Sequence, residues 1–186
     1  MQPLHGFTLL ELLICLLLVA VLGAVSMPEL SDMIAHRRSD IVMRNLKDAI
    51  ALARTSAITS GSLVTVCRSN NGTQCQGQWQ DGVLVFSDSN GDRLVNEDDV
   101  VRRYFSFPDA EGTLRWRAFQ NRQYLQITSQ GFTRFQNGNF IYCPASKKPE
   151  LARQLILNRT ARARFALDSD GDGIREDSSG KPLTCD

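Results

Sequence analysis

One feature constrains the fold more than any other: a long apolar run near the N-terminus that contains a single charged residue. Residues 7–27 are almost all apolar, and Glu11 is the one formally charged residue among them. As a helix, at ~1.5 Å per residue, the run is about long enough to cross a ~30 Å hydrocarbon core. A carboxylate near its start costs ~2.5–3.5 kcal/mol on insertion scales, so Glu11 indicates a partner and a function.

The sequence itself offers a partner for this carboxylate. Cleavage between Gly6 and Phe7 would place a new amine one helical turn from Glu11, and a neighbouring copy could bring its own amine equally close. An ordinary secretory signal is disfavoured, because it needs a basic n-region and a small-x-small cleavage site after the apolar core. Residues 1–5 contain neither Lys nor Arg, so membrane orientation would depend on the N-terminus and His5.

The remaining chain has two kinds of periodicity. Beyond Pro28 the apolar residues recur with helical spacing, and Ser60-Gly61-Ser62 ends a helix predicted from Phe7 to about Ser60. After Gly61 the pattern indicates short strands separated by Gly, Asn and Asp turns. These strands are predicted at 63–67, 83–86, 100–107, 113–118, 124–127, 140–143, 155–157 and 163–166. The predicted fold class is α+β, a long N-terminal helix packed on an antiparallel β-sheet or on two sheets.

Cysteine usage favours an oxidising compartment. Cys15 lies in the apolar run, whereas Cys67, Cys75, Cys143 and Cys185 lie in the remaining domain. An even number of cysteines outside a membrane span is typical of periplasmic proteins, in which disulfides persist. We expect Cys67 to pair with Cys75 and Cys143 with Cys185, although spacing alone does not determine connectivity.

The N-terminal segment Gly6-Phe7-Thr8-Leu9-x-Glu11 resembles the class III leader of type IV pilins and type II secretion pseudopilins. The resemblance implies cleavage after Gly6 by a prepilin peptidase, N-methylation of Phe7 and assembly of the helix into a filament. It divides the chain into a leader (1–6), a transmembrane and filament-core segment (7–28) and a periplasmic domain (29–186). The protein would then be a single-pass inner-membrane protein, moving to a pilus or pseudopilus tip on assembly.

The similarity extends to the GspH/FimT/FimU group of minor pilins. It rests on Ala53-Arg54-Thr55-Ser56-Ala57, on the segment Trp79 to Asp92, and on Asn158 to Arg164. The last motif usually reads Gly-Arg-x-Arg in that group, and Ala161 replaces the glycine here. The resemblance implies a minor pilin that primes or caps a type IV pilus with other minor pilins and the major pilin. The alternative is a minor pseudopilin of a type II secretion system.

Arginines are concentrated near the C-terminal end of the domain. Arg159, Arg162 and Arg164, with Arg153 nearby, could contact successive phosphates, and Phe165 could stack on a base. Arg162 and Arg164 would project to one side if residues 161–165 were extended.

Two other interpretations of these arginines remain open, a charged edge strand that resists aggregation and a contact with an acidic neighbouring subunit. The resemblance adds support for DNA, because FimT-type members use this motif in DNA uptake. The net charge of +1 requires such contact to come from a local patch.

An acidic loop is the candidate metal site. Asp168, Asp170 and Asp172 alternate, with a glycine at the sixth position, as in calcium loops. The twelfth position is Ser179, so Glu176, Asp177 or ligands remote in sequence would have to complete the site. The loop 88–92 is a weaker match, and capped Asp and Asn turns without metal are the alternative for both.

No enzyme is predicted. The two histidines are His5, which would leave with the leader, and His36, on the predicted helix. Neither cysteines nor histidines have zinc-site spacing, and the soluble cysteines are better explained by disulfides than by a catalytic nucleophile. We therefore expect that the protein requires no cofactor, and calcium is the single metal ion that we consider as a ligand.

Overall fold

The computed structural model describes residues 8–108 and 110–185, without the side chains of residues 24–29. The predicted processing residues Gly6 and Phe7 lie outside the described residues. The chain divides into two compact units, Met1–His36 and Arg37–Asp186.

One helix belongs to both units. Helix α1 (Leu9–Ser60) begins directly after Thr8, whose Oγ1 accepts a hydrogen bond from the Glu11 amide at 3.3 Å. Thr8 therefore caps one of the amides that have no partner within the helix. At the other end Gly61 has a φ of +64°, the left-handed conformation that commonly terminates helices. The predicted helix end at about Ser60 is confirmed.

Eight strands follow α1 in the described residues, and they form two antiparallel sheets, as predicted. The first sheet has the order β3-β2-β1-β5 and the second β4-β6-β7-β8. Short 3₁₀ helices cover Phe119–Asn121 and Pro149–Leu151. The strands are β1 (Val64–Arg68), β2 (Gly82–Ser87), β3 (Val100–Ser106), β4 (Gly112–Ala118), β5 (Tyr124–Ile127), β6 (Gly138–Pro144), β7 (Arg153–Leu157) and β8 (Ala163–Phe165).

The core lies between the second half of α1 and the inner faces of both sheets. The helix contributes an apolar stripe with the three- and four-residue spacing of one helical face. In the second sheet the Trp116 ring stacks on Phe140 with centroids 4.2 Å apart. The buried helix residues are Val42, Met43, Leu46, Ala49, Ile50, Ala53 and Ala57.

Strand register also determines what the second sheet presents on its outer face. Arg117 pairs with Asn139, Asn139 with Ile156, and Ile156 with Arg164, across all four strands. Because directly paired residues share a face, Arg117 and Arg164 lie on the outer face at opposite edges of the sheet.

Candidate functional site

The described beginning of α1 presents an apolar surface on every side. From Leu9 to Leu22 the large apolar side chains are between 49% and 77% exposed. Glu11 is exposed in the first turn, where a carboxylate interacts favourably with the helix N-terminus. Helices that are apolar all round are normally covered by other helices or by lipid. Within the described residues, no helix reaches the length and apolar character required to span a membrane.

Two disulfide bonds connect the four cysteines of the domain. Cys67 bonds to Cys75, and Cys143 bonds to Cys185, which are the expected pairs. The second bond fastens the C-terminal segment to β6, and Leu183 near the end of that segment is buried. Cys15 is unpaired and exposed on α1.

The three arginines predicted as a strip are all exposed, at the β7–β8 turn and on β8. The extended chain that this prediction assumed from residue 161 to 165 is not present, because Ala161 has a φ of +52° and β8 begins only at Ala163. Arg159 lines an open cleft, whereas Arg162 lines a separate groove beside α1 with Lys47 and Arg54. Arg164 lies on the outer face of the second sheet, opposite Ile156.

The turn that carries these arginines retains the conformation expected of a glycine. Ala161 is buried, with a left-handed φ that costs an alanine roughly 1–2 kcal/mol. The Asn158 side chain holds the turn, because its Oδ1 accepts bonds from the Thr160 amide at 3.1 Å and the Arg162 amide at 3.0 Å. Ala161 therefore adopts a backbone conformation that a glycine would adopt without this cost.

Arg153 is not on this surface, although it is close to the other arginines in sequence. Its Nε donates to Asp40 Oδ1 at 2.8 Å, and its Nη1 donates to the carbonyls of Glu150 and Ala152. The buried guanidinium thus ties β7 to α1. Phe165, expected as a stacking side chain, packs against the core with Lys47 Nζ 4.9 Å from its ring centroid.

The acidic loop after β8 brings four carboxylates together. Asp168, Asp170, Asp172 and Glu176 each offer an oxygen, and these atoms lie within 4.8 Å of one another. Glu176 Oε2 accepts the Ser169 amide at 2.7 Å. Glu176 Oε1 is buried with no hydrogen-bond partner among the described residues. The four carboxylates could hold one cation, and the three aspartates also accept backbone amides of their own loop, as in a capped turn without metal.

Asp177, the other carboxylate considered for this site, is used differently. It accepts hydrogen bonds from the Ser179 hydroxyl and from the amides of Lys181 and Ser179, and these bonds hold its pKa below the usual value. Asp177 therefore closes a turn.

Asp88, in the earlier acidic loop, is fully buried. Its Oδ2 accepts bonds from Thr65 Oγ1 at 2.6 Å and Gln126 Nε2 at 3.0 Å, so this carboxylate connects the loop to β1 and β5. Its Oδ1 is buried with no hydrogen-bond partner among the described residues, and the metal interpretation of this loop stays a prediction.

A further surface combines exposed phenylalanines with arginines, and the sequence patterns did not single it out. Two open clefts share Thr133, Phe135 and Arg159 in their linings. We call the surface they form the Phe–Arg surface. Its members come from three separate segments, and no local motif connects them. They are Arg117, Phe119, Phe132, Arg134, Phe135 and Arg159.

A long helix whose second half packs on two antiparallel sheets, and whose beginning is exposed and apolar with a single carboxylate, is typical of the pilin-like class. Residues 42–161 match the family model described as Type II transport protein GspH, and residues 3–27 match the prokaryotic N-terminal methylation motif. The chain belongs to the GspH family of pilins and pseudopilins.

Two crystal forms of the type IV minor pilin FimU from Pseudomonas aeruginosa share the fold. One superposes with a TM-score of 0.53 over 78% of this chain and 93% of FimU, and the other with 0.50 over 78% and 98%. Sequence identity is 16% in both. No curated protein sequence matches the chain.

Proposed function

We propose that this protein is a minor pilin of a type IV pilus, which helps to prime or cap filament assembly. The observation that carries the proposal is the all-round apolar surface of α1 from Leu9 to Leu22, with Glu11 as its charged residue. Such a surface needs other helices or lipid to cover it. The methylation motif supports the same role, and the GspH match is compatible with it. The role is structural and requires no cofactor.

The same helix supports a proposal for processing and location. A prepilin peptidase would cut between Gly6 and Phe7, and residues 7–28 would hold the protein in the inner membrane with residues 29–186 in the periplasm. The two disulfides suit this compartment. On assembly the protein would join other minor pilins and the major pilin at the filament tip.

The experiment for this proposal is the variant Glu11→Val in the native host. The variant should remain in the membrane, because a charge is removed from an apolar helix, yet it should enter filaments poorly, because the carboxylate no longer pairs with a Phe7 amine. Cys15→Val is a matched control that changes another exposed side chain one turn further along α1. Unchanged piliation with Glu11→Val would count against the proposal.

A minor pseudopilin of a type II secretion system is the second candidate, and the family match to GspH favours it. Deletion of the gene separates the two. Loss of surface pili indicates the pilus role, whereas loss of protein secretion with normal pili indicates the pseudopilin role. Neighbouring genes for pilus or secretion components give the same discrimination.

We further propose that the exposed arginines bind DNA without reading its sequence. Arg159, Arg162 and Arg164 would contact phosphates and release counterions, so affinity should fall steeply with salt. An isolated domain should bind in the non-specific range of ~10⁻⁴–10⁻⁶ M. The test is a mobility-shift assay at low salt that compares the protein with its Arg162→Gln, Arg164→Gln variant. Equal shifts would remove these two side chains from the proposal.

Calcium binding by Asp168, Asp170, Asp172 and Glu176 is a final proposal. Repulsion among four carboxylates would be relieved by the ion, so millimolar calcium should raise the melting temperature. Asp170→Asn should reduce this effect, and Asp98→Asn, an exposed aspartate in another loop, is the matched control. Titration calorimetry without heat at millimolar calcium would reject the site.

A further inference from the structure

The Phe–Arg surface contains every exposed aromatic side chain in the described part of the chain. Phe119, Phe132 and Phe135 are 64%, 47% and 68% exposed, whereas the other described aromatic residues are buried or half-buried. All three line the two adjoining clefts, which have volumes of about 610 and 560 Å³. Because single exposed rings are common but a cluster of them is not, this surface has the composition of a binding site.

The segment that carries two of these rings is held in a strained conformation. Phe135 has a φ of +70°, which is unusual for a bulky residue. Thr133 beside it is buried, and its amide donates to the Arg159 carbonyl at 2.9 Å. Gln136 is also buried, and its Oε1 accepts the Gln126 amide at 3.1 Å. Thus the backbone is fixed on both sides of Phe135 while its ring remains open to solvent, an arrangement expected where a ligand uses the ring.

All the charged side chains that line the two clefts are positive. Arg117, Arg134 and Arg159 line the clefts, and none of the other lining residues is acidic. The ion pairs among the described residues involve Arg38 and Arg153 and none of these three guanidinium groups. The site therefore combines flat apolar faces with uncompensated positive charge.

This combination suits a polyanion that also has accessible flat faces. A single-stranded nucleic acid has both, because its bases are free to stack on aromatic rings while its phosphates contact arginines. Duplex DNA buries its base faces in the helical stack, so it could use the arginines but not the rings. We propose that the Phe–Arg surface binds single-stranded nucleic acid. The inference rests on the DNA role proposed above. It adds a preference for single strands over duplex DNA, and it assigns the stacking of bases to phenylalanine rings that the earlier proposal does not use.

The test measures fluorescence polarisation of a labelled mixed-sequence oligodeoxynucleotide, single-stranded or annealed to its complement. The full-length protein is used in a neutral detergent at low salt. The single strand should bind more tightly than the duplex. Phe119→Leu and Phe135→Leu keep an apolar side chain but remove the ring, and each should weaken single-strand binding by at least ~5-fold while duplex binding stays unchanged.

Matched controls separate stacking from general effects of charge and folding. Arg44→Gln removes an exposed arginine on α1 and Leu94→Ala an exposed apolar side chain elsewhere, and both should leave the strand preference unchanged. Circular dichroism melting confirms that each variant is folded, as expected for exposed rings.

The outcomes distinguish this inference from the broader DNA role. Equal binding of single strand and duplex, with no effect of the Phe→Leu variants, overturns the stacking platform but leaves electrostatic DNA binding in place. Absence of binding to either probe overturns both. If the Phe→Leu variants instead prevent filament assembly while nucleic-acid binding is unchanged, the Phe–Arg surface is a subunit contact and the inference is wrong.

Discussion

Replacing Asp40 with alanine removes the carboxylate that pairs with Arg153 inside the domain. The Arg153 side chain is 5% exposed and that of Asp40 32%. Breaking a buried ion pair from one side costs ~3–5 kcal/mol, because the remaining charge is desolvated without its partner. Here Asp40 is partly solvated, and Arg153 Nη1 keeps its bonds to two backbone carbonyls at 2.9 Å. We therefore expect a loss of ~2–3 kcal/mol.

The neighbouring Arg175 adds to this cost. Burial lowers the pKa of its guanidinium, Arg153 lowers it further, and Asp40 acts in the opposite direction. Without Asp40 two cations remain close together with less negative charge nearby. The expected change in melting temperature is ~5–10 °C for a domain of this size.

Thermal and urea unfolding, followed by circular dichroism, measure the effect. Asp48→Ala is the matched control, because Asp48 is exposed on the same helix, and it should change stability by less than ~0.5 kcal/mol. The double variant Asp40→Leu, Arg153→Met removes both charges, and it should recover much of the lost stability. A loss of stability with Asp40→Ala no greater than with Asp48→Ala would refute the reasoning, as would a double variant less stable than Asp40→Ala.

Three further predictions concern the C-terminal half of the domain. The double variant Cys143→Ser, Cys185→Ser should lower the free energy of unfolding, measured in urea, by ~4 kcal/mol, and loss of the Cys67–Cys75 bond should lower it by ~2.5 kcal/mol. The difference arises because the bonded cysteines are 42 and 8 residues apart, and a longer closed loop restricts the unfolded chain more. Equal losses would contradict this ranking. Ala161→Val should destabilise by at least ~1 kcal/mol more than Ala161→Gly, because a β-branched residue tolerates φ of +52° poorly, and equal melting temperatures would argue against a strained turn. Folding lowers the pKa of Asp177, so its ionised carboxylate stabilises the folded state fully above the unfolded pKa of ~3.9, and this stabilisation is lost as the pH falls through the folded pKa. Asp177→Asn should remove this acid dependence of stability, and an unchanged pH profile of unfolding would contradict the prediction.

Local patterns in the sequence were sufficient to predict the architecture. The end of α1 depends on Gly61, and the strands depend on two-residue alternation and turn residues, which act over a few positions. The eight strands therefore lie close to the predicted ranges. The disulfide pairs were also those expected. This prediction depended on where the cysteines lie in the predicted fold, since one pair closes a short loop and the other fastens the C-terminal segment to a strand.

Long-range packing accounts for what the sequence did not reveal. Arg153 was grouped with neighbouring arginines, but its partner Asp40 is 113 residues away in the chain. The Phe–Arg surface likewise forms only when β4, the loop after β5 and the β7–β8 turn meet. The strip prediction assumed an extended chain, and the left-handed Ala161 interrupts it.

The mass of the mature protein tests the proposed function most directly. We predict that intact-mass and N-terminal peptide spectrometry of the protein from its native host will find a chain that begins at Phe7 and carries one N-methyl group. Gly6→Leu should yield the longer precursor in the membrane fraction. A mature chain that begins at Met1, or at any residue other than Phe7, would contradict the assignment as a processed pilin.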